Sequence, residues 1–239
     1  YSIGGSPHTC RYNIGFDFSL EIMKKLLLLL LLTIPAFTFA AKPATKPVAA
    51  APQPIVPAAP VAFGALNVAA KSFVLRDYQS GQTLVSQNPD LKVEPASLTK
   101  LMTAYLAFKN INEKRLSEDQ ALPVSEKAWK AIGSRMFIDL KVPVTVSELL
   151  RGMIIQSGND ASITLAEAMG GSEEAFAELM NKEAARLGMK NSNFLNATGL
   201  PDPQHYSTAE DLSLLAIAII RDFPEFYTIC STREYKYNN

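Results

Sequence analysis

Strand-type sequence stands at the front of the folded part of this chain, and helical patterning takes over behind it. Ser72-Phe73-Val74-Leu75 and Thr83-Leu84-Val85 are short β-type runs. Tyr78-Gln79-Ser80-Gly81 between them carries turn chemistry, so the three segments read as a β-hairpin. A two-stranded hairpin is marginal on its own. The next strand-like alternation is Arg233-Glu234-Tyr235-Lys236-Tyr237, a few residues before Asn239. The order of elements therefore describes a mixed α/β (α+β) domain whose remaining strands are expected outside these residues.

After Pro89 the period changes to that of a helix. Leu98, Leu101, Met102, Tyr105 and Leu106 recur at i, i+3, i+4, i+7 and i+8, which predicts an amphipathic helix. Leu101, Met102 and Tyr105 are expected to lean on the central sheet, and to be partly wet without it. Thr145-Val146-Ser147-Glu148 is a capping box ahead of Leu149, Leu150, Met153 and Ile154. Gly158 interrupts, and Asn159 or Asp160 is expected to cap a helix running to Gly170-Gly171. Ser172 opens another helix with Phe176, Leu179, Met180 and Leu187 inside and Gly188 as its stop. A last helix spans Thr208 to Asp222 and is closed by Pro224.

The N-terminal 62 residues enter no fold argument. Position 1 is Tyr, and the first Met is Met23. Lys24 and Lys25 follow it, then an apolar run from Leu26 to Ile34 broken only by Thr33, then Pro35 and Thr38-Phe39-Ala40. This is the pattern of a secretory signal peptide over residues 23–41, with cleavage after Ala40 or Ala41. The run falls short of the roughly 20 residues that span a bilayer. Residues 1–22 read as a non-native upstream extension. Residues 42–62 hold six prolines between Pro43 and Pro60 among Ala, Val and Lys, a composition that extends rather than packs and reads as a linker.

Charge excludes one class of function. Lys and Arg number 23 and Asp and Glu 23, so no net positive field favours nucleic acid. Two cysteines, Cys10 and Cys230, and two histidines, His8 and His205, show no metal-ligand spacing. Cys230 reads as a small buried hydrophobe rather than a nucleophile.

Two short motifs carry chemistry. In Ser97-Leu98-Thr99-Lys100 a hydroxyl and an amine three residues apart are helix neighbours. A lysine at the edge of an apolar stripe loses hydration, its pKa falls, and the neutral amine can take the serine proton. About one S-x-x-K arises by chance in a chain of this length, so the motif alone decides little. Ser157-Gly158-Asn159 falls on the break between two helices, where a loop can aim side chains into a cleft; Ser86-Gln87-Asn88 has the same spacing at a strand end. His205 with Asp202 or Asp211 admits a Ser-His-Asp hydrolase, but there is no G-x-S-x-G elbow, and His205 reads as a loop-packing residue.

Context gives these motifs weight. Pro95-Ala96-Ser97-Leu98-Thr99-Lys100-Leu101-Met102-Thr103 and Ile155-Gln156-Ser157-Gly158-Asn159-Asp160-Ala161-Ser162 resemble the type-5 low-molecular-mass penicillin-binding proteins, which are D-Ala-D-Ala carboxypeptidases. Gly133-Ser134-Arg135-Met136-Phe137, Gly199-Leu200-Pro201-Asp202 and His205-Tyr206-Ser207-Thr208-Ala209 match the same family. The resemblance implies the penicillin-binding/β-lactamase-like transpeptidase fold: an antiparallel sheet flanked by helices, with a helical lobe that holds Ser157. Residues 63–239 are then the N-terminal part of the catalytic domain. It also implies roles: Ser97 as acylated nucleophile, Lys100 as general base, and Ser157 as proton relay toward the leaving amine. Asn159 would bind the substrate backbone and help orient Lys100, and the Ser97 N–H would supply half of the oxyanion hole.

The implied substrate is the peptidoglycan pentapeptide, with β-lactams as covalent inhibitors and no cofactor or metal. The family's third motif, Lys-Thr-Gly or a variant, does not occur after Ser157. Family members continue into a β-rich domain and an amphipathic helix through which they associate with the inner membrane. The stretch by itself is therefore expected to be inactive, and the full-length protein to be exported to the periplasm. Alternatives of the same fold are a D,D-endopeptidase and a class A β-lactamase, whose second motif is S-D-N where Gly158 stands here. A non-catalytic cell-wall-binding protein is the remaining alternative.

Overall fold

The computed structural model describes residues 68–238. The readings of residues 1–22, 23–41 and 42–62 lie outside them, as do Cys10 and His8.

The expected hairpin is present. Strand β1 (Phe73–Arg76) pairs antiparallel with β2 (Thr83–Gln87), with an irregularity between Leu75 and Arg76. Asp77 closes the turn by accepting from the Ser80 backbone N–H at 2.8 Å. A second small antiparallel pair, β3 (Ala121–Leu122) with β4 (Val144–Thr145), has no counterpart in the sequence reading. Two residues per strand give no detectable alternation.

The helices form the bulk. α1 runs Lys100–Asn112, α2 Glu126–Trp129, α3 Val146–Gln156, α4 Asn159–Gly170, α5 Glu173–Leu187, α6 Ala209–Asp222 and α7 Pro224–Tyr227. The capping box at Thr145 and Glu148 is complete: the Thr145 side chain accepts from the Glu148 N–H, and Glu148 Oε2 accepts from the Thr145 N–H at 3.0 Å. Ser172 and Thr208 cap α5 and α6 through their hydroxyls. Pro224 does follow the end of α6, but it also occupies the first turn of α7, where its missing N–H costs nothing.

Several expectations are corrected. First, α1 is not a two-faced helix on a sheet. Met102 through Phe108 are all buried, with Met102 at 0% and Tyr105 at 2% exposure. The helix is enclosed by other helices, so Met102 and Tyr105 stay dry; Leu101 is only partly buried and Leu98 is exposed. Each large side chain so buried contributes roughly 1.5–3 kcal/mol. Phe223 packs edge-on against Tyr105, and Phe226 stacks on Phe108 with ring centroids 4.7 Å apart, so the segment after α6 seals the C-terminal half of α1.

Second, neither Asn159 nor Asp160 caps α4. Gly158 takes the cap position without a side-chain bond, and the Asp160 carboxylate turns to a neighbouring loop. Third, Arg233–Tyr237 forms no strand; Tyr235 and Tyr237 lie half-buried against the core. Cys230, expected inside, is exposed. Among the described residues no helix is long and apolar enough to cross a membrane.

Candidate active site

The nucleophile candidate does not lie on α1 itself. Ala96–Thr99 form one 3-10 turn that feeds into the helix at Lys100. A 3-10 turn eclipses residues i and i+3. The Ser97 hydroxyl and the Lys100 amine are therefore superposed, with Nζ 3.3 Å from Oγ. Ser97 is exposed while Lys100 is 6% exposed, so the pair spans the boundary between solvent and interior.

Ser157 reaches the same oxygen from the other side. It ends α3 in the left-handed conformation, φ 58°, a sharp reversal that turns its side chain back across the cleft. Its hydroxyl donates to Ser97 Oγ at 2.9 Å. Residues sixty positions apart thus share one hydrogen bond at the pair the sequence singled out.

Lys100 is held by a third segment. Its Nζ donates to the Thr198 carbonyl at 2.7 Å. Burial lowers its pKa from 10.5 to about 8, because the charged amine has lost water and no carboxylate stands among its bonded partners. The amine is then a base of useful strength near neutral pH.

Asn159 opens α4, and its polar groups bind a neighbouring loop. Its side-chain amide donates to the Ile132 carbonyl at 2.6 Å and its backbone N–H to the Ser134 carbonyl at 2.7 Å. It therefore fixes the 132–138 loop, while the orientation of Lys100 comes from Thr198. Asp160 completes the same wall. Its buried carboxylate accepts from the backbone N–H groups of Met136 at 3.0 Å, Phe137 at 2.8 Å and Ile138 at 3.3 Å. Phe137 is left at positive φ, 63°, and 71% exposed, with the Arg135 guanidinium over its ring.

A pocket of about 380 Å³ opens beside Ser97, with Leu101, Ala104, Phe108, Met153, Ile154 and Ile219 in its walls. Ser97, Lys100 and Ser157 also line this apolar space. His205, by contrast, bonds Thr99 rather than Ser97, so it forms no Ser-His-Asp array with Ser97.

Sequence reasoning missed Thr198, because a backbone carbonyl has no residue signature. A signal did exist in Asn196-Ala197-Thr198-Gly199. Asn196 Oδ1 accepts from the Gly199 N–H at 2.7 Å and the Thr198 N–H at 3.2 Å, a side-chain-closed turn that aims the Thr198 carbonyl inward. Gly199 has φ +85°, and a Cβ there would meet the Ala96 carbonyl oxygen at 1.8 Å. The two backbones touch, which requires glycine.

The sequence model of the D-alanyl-D-alanine carboxypeptidases of peptidase family S11 matches residues 58–239. The D-alanyl-D-alanine carboxypeptidase DacA of Haemophilus influenzae is 41% identical over 175 residues, 72% of this chain and 44% of that protein. The crystal structure of penicillin-binding protein 5 from Haemophilus influenzae superposes with a TM-score of 0.72 at 40% identity, covering 74% of this chain and 52% of that one. Penicillin-binding protein D2 from Listeria monocytogenes, in its ampicillin-bound form, superposes with a TM-score of 0.64 at 31% identity, covering 71% of this chain and 69% of that one. The described residues thus have the penicillin-binding-protein fold, and the chain spans about half the length of the first two relatives. With its residues 58–239 matched throughout, the chain belongs to the D-alanyl-D-alanine carboxypeptidase family, peptidase S11.

Proposed function

We propose that the full-length protein is a serine-type carboxypeptidase that removes the terminal D-alanine from peptidoglycan pentapeptides through an acyl-serine intermediate. One observation carries the reading: Ser97 Oγ sits at once 3.3 Å from the Lys100 amine and 2.9 Å from the Ser157 hydroxyl. The neutral Lys100 amine takes the Ser97 proton as Oγ attacks the carbonyl carbon of the last peptide bond. The Ser97 N–H stabilises the oxyanion. As the intermediate collapses, the C–N bond breaks and a proton passes by way of the Ser157 hydroxyl to the leaving D-alanine amine. Water then attacks the acyl carbon with Lys100 again as base; the ester C–Oγ bond breaks, Ser97 Oγ takes the proton back from Lys100, and the shortened peptide leaves with a new carboxylate. Asn159 and the 132–138 loop form the wall along which the peptide lies.

β-Lactams fit the same reading as covalent inhibitors, since their strained amide presents a carbonyl carbon to the same hydroxyl. Incubation of the full-length protein with a peptide ending in D-Ala-D-Ala is expected to release D-alanine, and Ser97→Ala to abolish release. Cleavage inside cross-linked dimers without D-alanine release would instead make the enzyme an endopeptidase. The Lys24-Lys25, poly-Leu and Thr38-Phe39-Ala40 sequence supports export to the periplasm. N-terminal sequencing of the exported form is expected to begin at Ala41 or Lys42.

A further inference from the structure

His205 is 2% exposed and takes no part in the chemistry above, yet both of its ring nitrogens are engaged. The Leu195 backbone N–H points at Nδ1 at 3.1 Å. A backbone N–H can only donate, so Nδ1 must be the bare, accepting nitrogen and the ring proton must sit on Nε2. Nε2 lies 2.8 Å from Thr99 Oγ1, and its N–H therefore donates to that hydroxyl. The ring is further fixed edge-on to Phe194. Thr99 is fully buried and stands between Leu98 and Lys100 in the 3-10 turn that carries Ser97.

The same loop grips the turn at three more points. Gly199 touches the Ala96 carbonyl, Thr198 O receives the Lys100 amine, and Ala197 O accepts from the Thr103 hydroxyl at 2.9 Å. The His205 contact is the bond of this clamp to the Thr99 side chain, between Ser97 and Lys100. It depends on the protonation state of the imidazole. Protonation of Nδ1 would set a ring N–H against the Leu195 N–H. The charged groups whose fields reach the ring are Asp202, on its own loop, and Glu94, ahead of the turn; the Lys100 amine lies on the residue next to Thr99. Burial outweighs the two carboxylates and holds the imidazole below its ordinary pKa, which keeps it neutral near pH 7.

We infer that His205, as its Nε2–H tautomer, is a positioning residue for acylation: by pinning Thr99 it holds Ser97 and Lys100 at the spacing that proton transfer needs. The inference rests on the acyl-serine reading. A misplacement of the base by even a fraction of its 3.3 Å reach slows transfer steeply.

Two substitutions separate positioning from packing. His205→Gln can place an amide N–H where Nε2–H stood and keep the bond to Thr99. His205→Asn can keep only the acceptor for Leu195. In the full-length protein, penicillin acylation is resolved into the dissociation constant of the first complex and the acylation rate constant. His205→Asn is expected to lower the rate constant by about ten- to a hundredfold with the dissociation constant unchanged. His205→Gln is expected to restore most of the rate. The wild-type rate is expected to fall at acid pH with an ionisation that His205→Gln lacks. In a Thr99→Val background His205→Asn should have no further effect. Equal rates for wild type and His205→Asn, or losses in both variants that merely follow their melting temperatures, would overturn the proposal. Long-range ¹H–¹⁵N spectra of the labelled wild-type protein read the tautomer without any activity. A protonated Nδ1 at neutral pH would also overturn it, whereas a protein with the expected tautomer that no penicillin acylates would refute the acyl-serine reading instead.

Discussion

The Lys100 amine is fixed by the backbone of a residue 98 positions away, the carbonyl of Thr198, at 2.7 Å. This bond leaves the lone pair or the remaining protons of the amine free to face Ser97, and it does so without a carboxylate that would hold the proton on. The amine is poised by burial and a neutral acceptor together.

The pH dependence of acylation follows from that arrangement. Lys100 titrates near 8 in this environment, and only its neutral form accepts the Ser97 proton. The second-order rate of acylation is therefore expected to rise with pH and to level off above about 8. Lys100→Arg keeps the charge but cannot deprotonate at working pH. It is expected to lower acylation by at least about a hundredfold while the circular dichroism melt stays cooperative. Retained acylation in Lys100→Arg would remove the general-base role.

Asp160 should matter more to architecture than to chemistry. Its carboxylate accepts from three successive backbone N–H groups, and no neutral residue of its size accepts as many. Asp160→Asn turns an NH₂ group toward N–H donors and is expected to cost about 1.5–3 kcal/mol of stability. The released 132–138 loop carries the Ile132 and Ser134 carbonyls that fix Asn159, so substrate affinity should weaken with it. Thermal melts and KM measured on the same preparation test both parts. An unchanged melting temperature would contradict the account of this loop.

How much of this was legible in the sequence depends on range. The Thr145 capping box, the helix starts at Ser172 and Thr208 and the 73–87 hairpin are local, and each is legible in a few adjacent residues. The motif residues Ser97, Lys100 and Ser157 were also legible, and the structure brings their side chains together. What was not legible involves partners far apart in sequence. The burial of Met102 and Tyr105 depends on where α6 and α7 return. The task of Asp160 depends on a loop more than twenty residues upstream, and its position after Gly158 looked like a cap. Arg233–Tyr237 alternates as a strand would, but alternation makes a strand only when a neighbouring strand supplies hydrogen bonds, and here the segment lies against the core without one.

Gly199 offers a test of the clamp between the 196–205 loop and the nucleophile turn. A Cβ at this position would lie 1.8 Å from the Ala96 carbonyl oxygen, in a backbone conformation with φ +85°. Gly199→Ala is therefore expected to push the loop off the turn, at a cost of at least about 1–3 kcal/mol from backbone strain alone. Acylation should fall with it, because the Thr198 carbonyl moves away from Lys100. Wild-type acylation in a stably folded Gly199→Ala protein would show that the clamp does not set the base.

The proposed mechanism stands on Ser97 as the nucleophile that becomes acylated. The direct measurement is to label the full-length protein with penicillin, digest it, and locate the adduct by mass spectrometry. The account predicts one modified peptide, with the penicilloyl group on Ser97 and no label in Ser97→Ala. An adduct on Ser157 or on any other residue, or undiminished labelling of Ser97→Ala, would contradict it.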